Sequence, residues 1–497
     1  ANRGEGGGGA NVSGPVVTAL PLETRPPDTN PAAALPMDPR DGLATAITGE
    51  YASVKSLVSG SLTRTVTTVA LPAVASTLLM TLFATVDAFW VGTRIGPRGL
   101  AAVSTSIFWV WMLVSCAEMI SVGLTAVAAR RHGERRHDAV ARAVGDAIIL
   151  AVLLAAALGA AGIANIDALF GIMHTPSEVT ALGRQYLGTY LLGAPLIFGF
   201  FAVDAAFRAA GDTRTPFLLL LGCVVAALAL DPVLILGLGP APRLGIAGAA
   251  VATIFTRSVA FLLGVTLLIR RKMVRFGMPM GDTIRAIVRV GLPTAVTGVV
   301  FSNIYVLLTR TTTKFGTPAL AALGVGHRVE SWSYMIGVGF GAAAAAIVGQ
   351  NLGARQVERA SRAAWIATAF AMSIGLVAGI GEYTLATTFA RIFTSDPLVI
   401  AESARYLRIG AISTLFAGAE LVLEGALGGA GDTLPPMLTS TTLTVLRIPL
   451  AAWAATRWGT SGIWWTISLT ALGRGVAMML LWKWGRWKRV RWATTPA

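Results

Sequence analysis

The chain has 497 residues, of which 54% are hydrophobic and only 13% charged; soluble domains carry roughly 25% charged residues. Its 40 basic and 25 acidic residues give a net charge of +15, but the basic residues sit between apolar runs and form no single face or stripe, which argues against nucleic acid as a partner. Cys116 and Cys223 both lie inside apolar runs, so there is no disulfide framework and no cysteine metal site; a secreted disulfide domain, a collagen-like fibre and a wholly disordered chain are excluded.

Residues 1–60 open on a glycine-rich run and hold seven prolines between Pro15 and Pro39. Without apolar periodicity they are predicted to form a disordered cytosolic tail. No basic stretch precedes an apolar run and a small-residue cleavage site, so the segment is not a signal peptide. From Ser61 onward long apolar stretches alternate with short polar breaks. Charge-free runs such as Thr65 to Val86, Ala147 to Ile166, Val290 to Thr309 and Ser331 to Ala354 approach or exceed the ~20 residues that cross a bilayer core. The breaks define twelve spans: 62–93, 99–129, 139–165, 180–208, 214–238, 244–270, 284–314, 318–350, 358–388, 398–428, 433–456 and 459–482. The fold class is therefore an all-α polytopic membrane protein.

Basic clusters fall in the second break (Arg130, Arg131, Arg135, Arg136), the sixth (Arg270, Arg271, Lys272, Arg275), the eighth (Arg355, Arg359, Arg362) and the C-terminus (Lys483 to Arg491). The positive-inside rule places the even breaks and both termini in the cytoplasm. The composition fits a bacterial inner membrane. Trp482, Trp484, Trp487 and Trp492 interleave with the C-terminal charges and read as interfacial anchors in contact with lipid.

The two halves repeat at an offset near 220. Phe207 to Pro216 aligns with Leu427 to Pro436 over a shared Ala-Gly-Asp-Thr, Tyr186-Leu187 with Tyr406-Leu407, Gly133 with Gly353, and Leu71-Pro72 with Leu292-Pro293. Six spans return the chain to its starting side, so the repeats are parallel. This predicts two six-helix lobes, 61–275 and 276–485, about an axis along the membrane normal, followed by a basic cytosolic tail, 486–497. The geometry suits a transporter whose lobes rock about a central cavity. No GxxxxGK[ST] loop occurs, so an ion gradient is expected to drive it; no enzymatic activity and no cofactor are expected.

Acids inside spans are functional candidates, because low dielectric disfavours a bare charge. In the N-terminal half these are Asp87 in the first span and Asp231 before Pro232 in the fifth. Asp204 stands four residues before Arg208, so a local pair is its alternative. In the C-terminal half Glu420 and Glu424 share one helix face of the tenth span, where they would attract a cationic substrate or pair with Arg447 or Arg474. Glu330 lies in His327-Arg-Val-Glu330 and reads as a gating or structural contact at the cavity. Glu118 has no partner visible in sequence, and the four histidines show no ligand spacing.

Leu71-Pro72, Val86-Asp87-Ala-Phe-Trp-Val-Gly92, Ala206 to Pro216, Leu230-Asp231-Pro232, Val348 to Gly353 and Gly429 to Thr433 resemble, in order and spacing, the MATE family (multidrug and toxic compound extrusion transporters), closest to its DinF-like branch. The resemblance covers residues 62 to about 485. It implies an antiporter that expels organic cations or amphipathic drugs in exchange for H⁺ or Na⁺. In the family, acids at the Asp87 and Asp231 positions form an N-lobe cation site. The Asn usually found four residues before the latter is Ala227 here, with Asp204 as a possible substitute and Thr253 as a further member. The repeat puts Leu308 and Ile448 at the two acid positions of the C-terminal half, so coupling is expected to be asymmetric and H⁺ is favoured over Na⁺. A single chain encloses a cavity, so a monomer is expected. The rival expectation is a flippase for lipid-linked precursors, with Arg257, Arg310, Arg447 and Arg474 holding phosphate.

Overall fold

A computed structural model describes residues 57–490 apart from Gly96, His174, Pro176 and Pro240; the side chains of Asp87, Ala88, Phe89, Pro97, Leu100 and Val306 also lie outside the description. The described residues are all helical, with no strand. The first ten spans are α1 (Leu62–Arg94), α2 (Pro97–Gly133), α3 (His137–Ala164), α4 (Ser177–Ala209), α5 (Arg214–Leu236), α6 (Ile246–Arg270), α7 (Gly281–Thr313), α8 (Thr317–Gly353), α9 (Val357–Thr384) and α10 (Pro397–Ala430). The last helical stretch, Leu434–Trp484, is interrupted at Gly459, whose φ of 59° and ψ of −142° are open to a residue without Cβ. It therefore supplies two spans, α11 (434–458) and α12 (460–484), and the twelve expected spans are present.

Two short helices were not anticipated, Ile166–Ile172 and Ala386–Phe393. They stand 220 residues apart, so they belong to the repeat. The ninth span, expected to reach residue 388, ends at Thr384 because the second of them begins there. The Ala-Gly-Asp-Thr turns repeat in detail. Asp212 accepts the backbone N–H groups of Arg214 (3.1 Å) and Thr215 (3.0 Å) and binds Arg271 Nη1 (2.7 Å). Asp432 meets Arg486 Nη2 at 3.3 Å. Each acid ties the start of its half's fifth helix to the segment that follows the sixth.

Small residues let the helices of the two halves touch at the end that bears the even breaks. A Cβ on Gly291 of α7 would lie 1.8 Å from the Met119 carbonyl of α2, and one on Gly353 of α8 would lie 2.0 Å from that of Arg130. Such close backbone approach is how membrane helices gain contact area without a hydrophobic driving force. Gln350 Nε2 donates to the Ala209 carbonyl (2.7 Å) and Thr77 Oγ1 to that of Met335 (2.7 Å), again across the halves. Toward the opposite end each half keeps its own cluster: Val91, Tyr186, Ile235 and Ile246 in one, Leu308, Leu323, Tyr406 and Trp464 in the other.

The expected tail over residues 1–56, and residues 491–497 of the C-terminal one, lie outside the described residues. Leu57 is buried, and its carbonyl accepts from Asn351 Nδ2 (3.2 Å); Arg359 donates to the carbonyls of Ser59 (2.8 Å) and Gly60 (2.9 Å). Residues 57–60 are therefore part of the folded body. Trp482 and Trp487 also differ from expectation. Instead of anchoring at the interface they are buried and stacked, 4.0 Å apart and 11° from parallel; Trp484 is exposed.

Candidate functional site: a cavity between the halves

Four groups of polar side chains line the interior. In the N-terminal half, Asp231 is 1% exposed on α5, directly before the Pro232 kink. Thr253 is buried on α6 with its hydroxyl donated to the Ala249 carbonyl of its own helix (3.1 Å). Asp87 is on α1, but its side chain lies outside the described ones.

Asp204 does not join that layer. It pairs with Arg208 on the next turn of α4 (2.7 Å), and Arg208 also donates to Ser121 of α2 (2.8 Å). The pair lines an N-half cavity with Leu220 of α5. Asp231 is eleven residues beyond Leu220, about 16 Å at 1.5 Å rise per residue. Asp204 is thus held in the local pair with Arg208 that its i, i+4 spacing allows.

The third group crosses the halves. Val122 of α2 meets Gly428 of α10, where a Cβ would lie 3.5 Å from Val122 Cγ1. One turn toward the open end stands Glu118 on α2 and Glu424 on α10, within electrostatic reach of each other. Glu118 is exposed and also feels Arg208 and Asp204. Glu420, a further turn along α10, is instead bound to Arg474 Nη1 (3.1 Å), whose guanidinium lies over Phe301 (5.8 Å). Among the described residues neither Glu118 nor Glu424 forms a salt bridge. Two helices from opposite halves thus carry two carboxyls, within electrostatic reach of each other, that form no salt bridge among the described residues.

The fourth group is inside the C-terminal half. Glu330 accepts from the Tyr406 hydroxyl (3.0 Å), and His327 Nδ1 stands 3.7 Å from the same oxygen. The His327 ring meets Tyr305 edge to face (4.4 Å). Glu382 of α9 is 2% exposed; its Oε2 accepts from Thr414 Oγ1 (2.6 Å) and its Oε1 has no partner. Arg447 is buried and donates from Nε to Thr470 Oγ1 (2.9 Å). Sequence reasoning placed Glu330 at a structural contact but missed His327, Tyr406 and Glu382. The spacing of Glu330, Glu382 and Thr414 along the chain carries no sign that three helices meet there. Among the described residues no group of three or more His, Cys, Asp or Glu could hold a metal ion.

A protein-family model, MatE, matches residues 72–233 and 293–453, one segment in each half. The chain is similar to a probable multidrug resistance protein, YpnP, of Bacillus subtilis: 26% identical over 425 residues, covering 85% of this chain and 95% of that protein. It is also 26% identical over 431 residues to a FAD transporter of Shewanella oneidensis, covering 86% and 95%. Among solved structures, the Vibrio cholerae MATE transporter VcmN in the bent form superposes with a TM-score of 0.79 at 22% identity, over 86% of this chain and 97% of that one.

Proposed function

Since the chain belongs to the MATE family of multidrug efflux transporters, we propose that it is a secondary antiporter that exports organic cations or cationic amphiphiles in exchange for H⁺. The observation that carries this reading is the pair of carboxyls, Glu118 and Glu424, within electrostatic reach of each other on helices of opposite halves, one turn from the contact of Val122 with Gly428. A lipophilic cation between them would be held by two charges on bodies that must separate for it to leave. Coupling is assigned to Asp87 and Asp231. Burial favours the neutral form of a carboxyl, so a proton arriving from outside neutralises the layer and a later opening to water releases it. Ion and cargo need only favour different states of the two lobes. The positive-inside orientation puts the closed end in the cytoplasm, so the described conformation is read as outward-open. Na⁺ in place of H⁺ would use the same oxygens.

The flippase reading needs free basic groups for phosphate. Of its four arginines, Arg474 and Arg447 are committed to Glu420 and Thr470, which leaves too few for a cavity lined with basic groups and weighs against it. Proteoliposomes with an imposed pH gradient and no sodium separate the readings. Wild type should drive ethidium flux, Asp231→Asn should abolish its gradient dependence, and Glu118→Gln with Glu424→Gln should raise the ethidium KM at least tenfold. Ethidium flux that ignores both sets of substitutions would sink the assignment.

A further inference from the structure

Arg208 is occupied by Asp204 and Ser121; Arg257, on α6, is not occupied in this way. Its side chain is 6% exposed and lines the N-half cavity, of about 50 Å³, together with Asp204, Arg208, Ser76 and Thr77. Its guanidinium lies over two aromatic rings, Phe83 of α1 at 5.7 Å and Phe200 of α4 at 5.2 Å. The Nη1 atom is buried with no hydrogen-bond partner. Aromatic contact stabilises the faces of a guanidinium and leaves its N–H edge for acceptors in the plane. A buried donor on a permanently charged group is costly unless an acceptor meets it.

The charges around it narrow the acceptor. Asp204 and Arg208 neutralise each other, so the three charged groups of the lining sum to +1, on Arg257. A carboxylate or phosphate matches the planar fork of Arg better than any neutral group does. The cavity of about 50 Å³ has room for an anionic head group and no ring; Phe83, Phe200, Phe201 and Met80 line it with apolar surface. Arg208, which lines the cavity, donates to Ser121 of α2 (2.8 Å), three residues from Glu118, so the cavity lies beside the carboxyl of α2.

We propose that Arg257 is an anion subsite, which takes the carboxylate or phosphate head of a cargo whose cationic end lies at Glu118 and Glu424. Only the cationic end rests on the efflux reading; the subsite stands on the Arg257 geometry. A cargo that carries both charges is then held best: a lone cation binds at the carboxyls only, and a lone anion at Arg257 only.

The test uses the full chain in phosphatidylcholine nanodiscs and three probes built on one aryl fluorophore, bearing an ammonium, a carboxylate or both. Wild type should bind the carboxylate probe. Arg257→Gln should weaken the carboxylate and double-headed probes by about tenfold or more, as expected for a lost charge-assisted fork, and leave the ammonium probe unchanged. Arg257→Lys, which keeps the charge without the fork, should fall between. The proposal is overturned if the carboxylate probe does not bind wild type, binds Arg257→Gln equally well, or if all three probes weaken together, which would mark Arg257 as structural. Failure of the ammonium probe alone would count against the efflux reading and leave the subsite to be decided by the carboxylate arm. Competition by phosphatidylglycerol, present in wild type and lost in Arg257→Gln, would keep the subsite and assign its anion to a lipid headgroup.

Discussion

Asp204 and Glu424 hold equivalent positions, 220 residues apart, in the two halves. One turn later the N-terminal half has Arg208 and the C-terminal half has Gly428. Arg208 neutralises Asp204 at 2.7 Å, whereas Gly428 lets Val122 of the other half approach α10. The same acid is thus a closed ion pair in one lobe and, among the described residues, a carboxyl without a salt bridge in the other. A repeat keeps the scaffold while single positions decide whether an acid is structural or available. The arginines diverge likewise: Arg474 faces Ile254 across the repeat, and Arg257 faces Ala477.

The largest effect should come from breaking the pair that is most buried. Glu420→Ala leaves Arg474, about a tenth exposed, without its counter-ion in a low-dielectric interior, and removal of one partner of such a pair costs about 3–5 kcal/mol. Thermal unfolding followed by tryptophan fluorescence in nanodiscs should show it directly. Glu420→Met with Arg474→Met should recover most of the loss. If the double variant is as unstable as the single one, the cost is packing and not charge. The partly exposed pair comes next. Arg208→Gln strips Asp204 of its neutraliser, at a cost of about 1–2 kcal/mol, less than for Glu420 because a fifth of each side chain reaches solvent. It also turns Asp204 into a free carboxylate like Glu424, so uptake of a monovalent cation should tighten. Unchanged cation affinity would mean that the difference between the halves does not lie in this arginine. Smaller still, Glu424→Gln should shift stability by less than about 1 kcal/mol, as for sites away from paired or packed features, while weakening cation transport. A destabilisation comparable to that of Glu420→Ala would show that Glu424 has a partner.

Much of this was legible in the chain. Apolar length gave twelve spans, and the 220-residue offset gave the two halves; even the Asp204–Arg208 pair follows from i, i+4 spacing. The coupling residues named by family resemblance, Asp87, Asp231 and Thr253, remain a proposal. Other features could not be read. Whether Glu118 faces Glu424 depends on which turn of α2 meets α10, and that register is set by Val122 against Gly428, 306 positions apart. The burial of Trp487 required knowing that the chain turns back after Gly485, at φ 75°. Periodicity describes one helix at a time, and a site assembled from several depends on contacts between them.

The smallest effect should appear at the repeated Asp-Thr turns, outside the spans, where Asp212 and Asp432 differ in their support. Asp212 accepts two backbone N–H groups and an arginine, whereas for Asp432 the recorded contact is Arg486, itself half exposed. Burial holds the Asp432 carboxyl above its ordinary range, and Arg486 pulls it partly back. A raised folded-state value means that the folded chain holds the proton more tightly than the unfolded chain. The stabilising contribution is therefore complete below the ordinary value of 3.8 and is lost as pH rises through the folded one. Arg486→Ala raises the folded value further and so deepens that loss. It should lower stability at pH 7 by up to about 1 kcal/mol, the range for a half-exposed pair, and leave it unchanged near pH 3. Asp432→Asn should flatten the dependence, since an amide does not titrate. Unfolding midpoints from pH 3 to 8 for the two variants and wild type check the sign. A variant curve that diverges from wild type at low pH instead of high pH would mean that Arg486 acts through its stem packing on the last turn of the chain and not through the charge of Asp432.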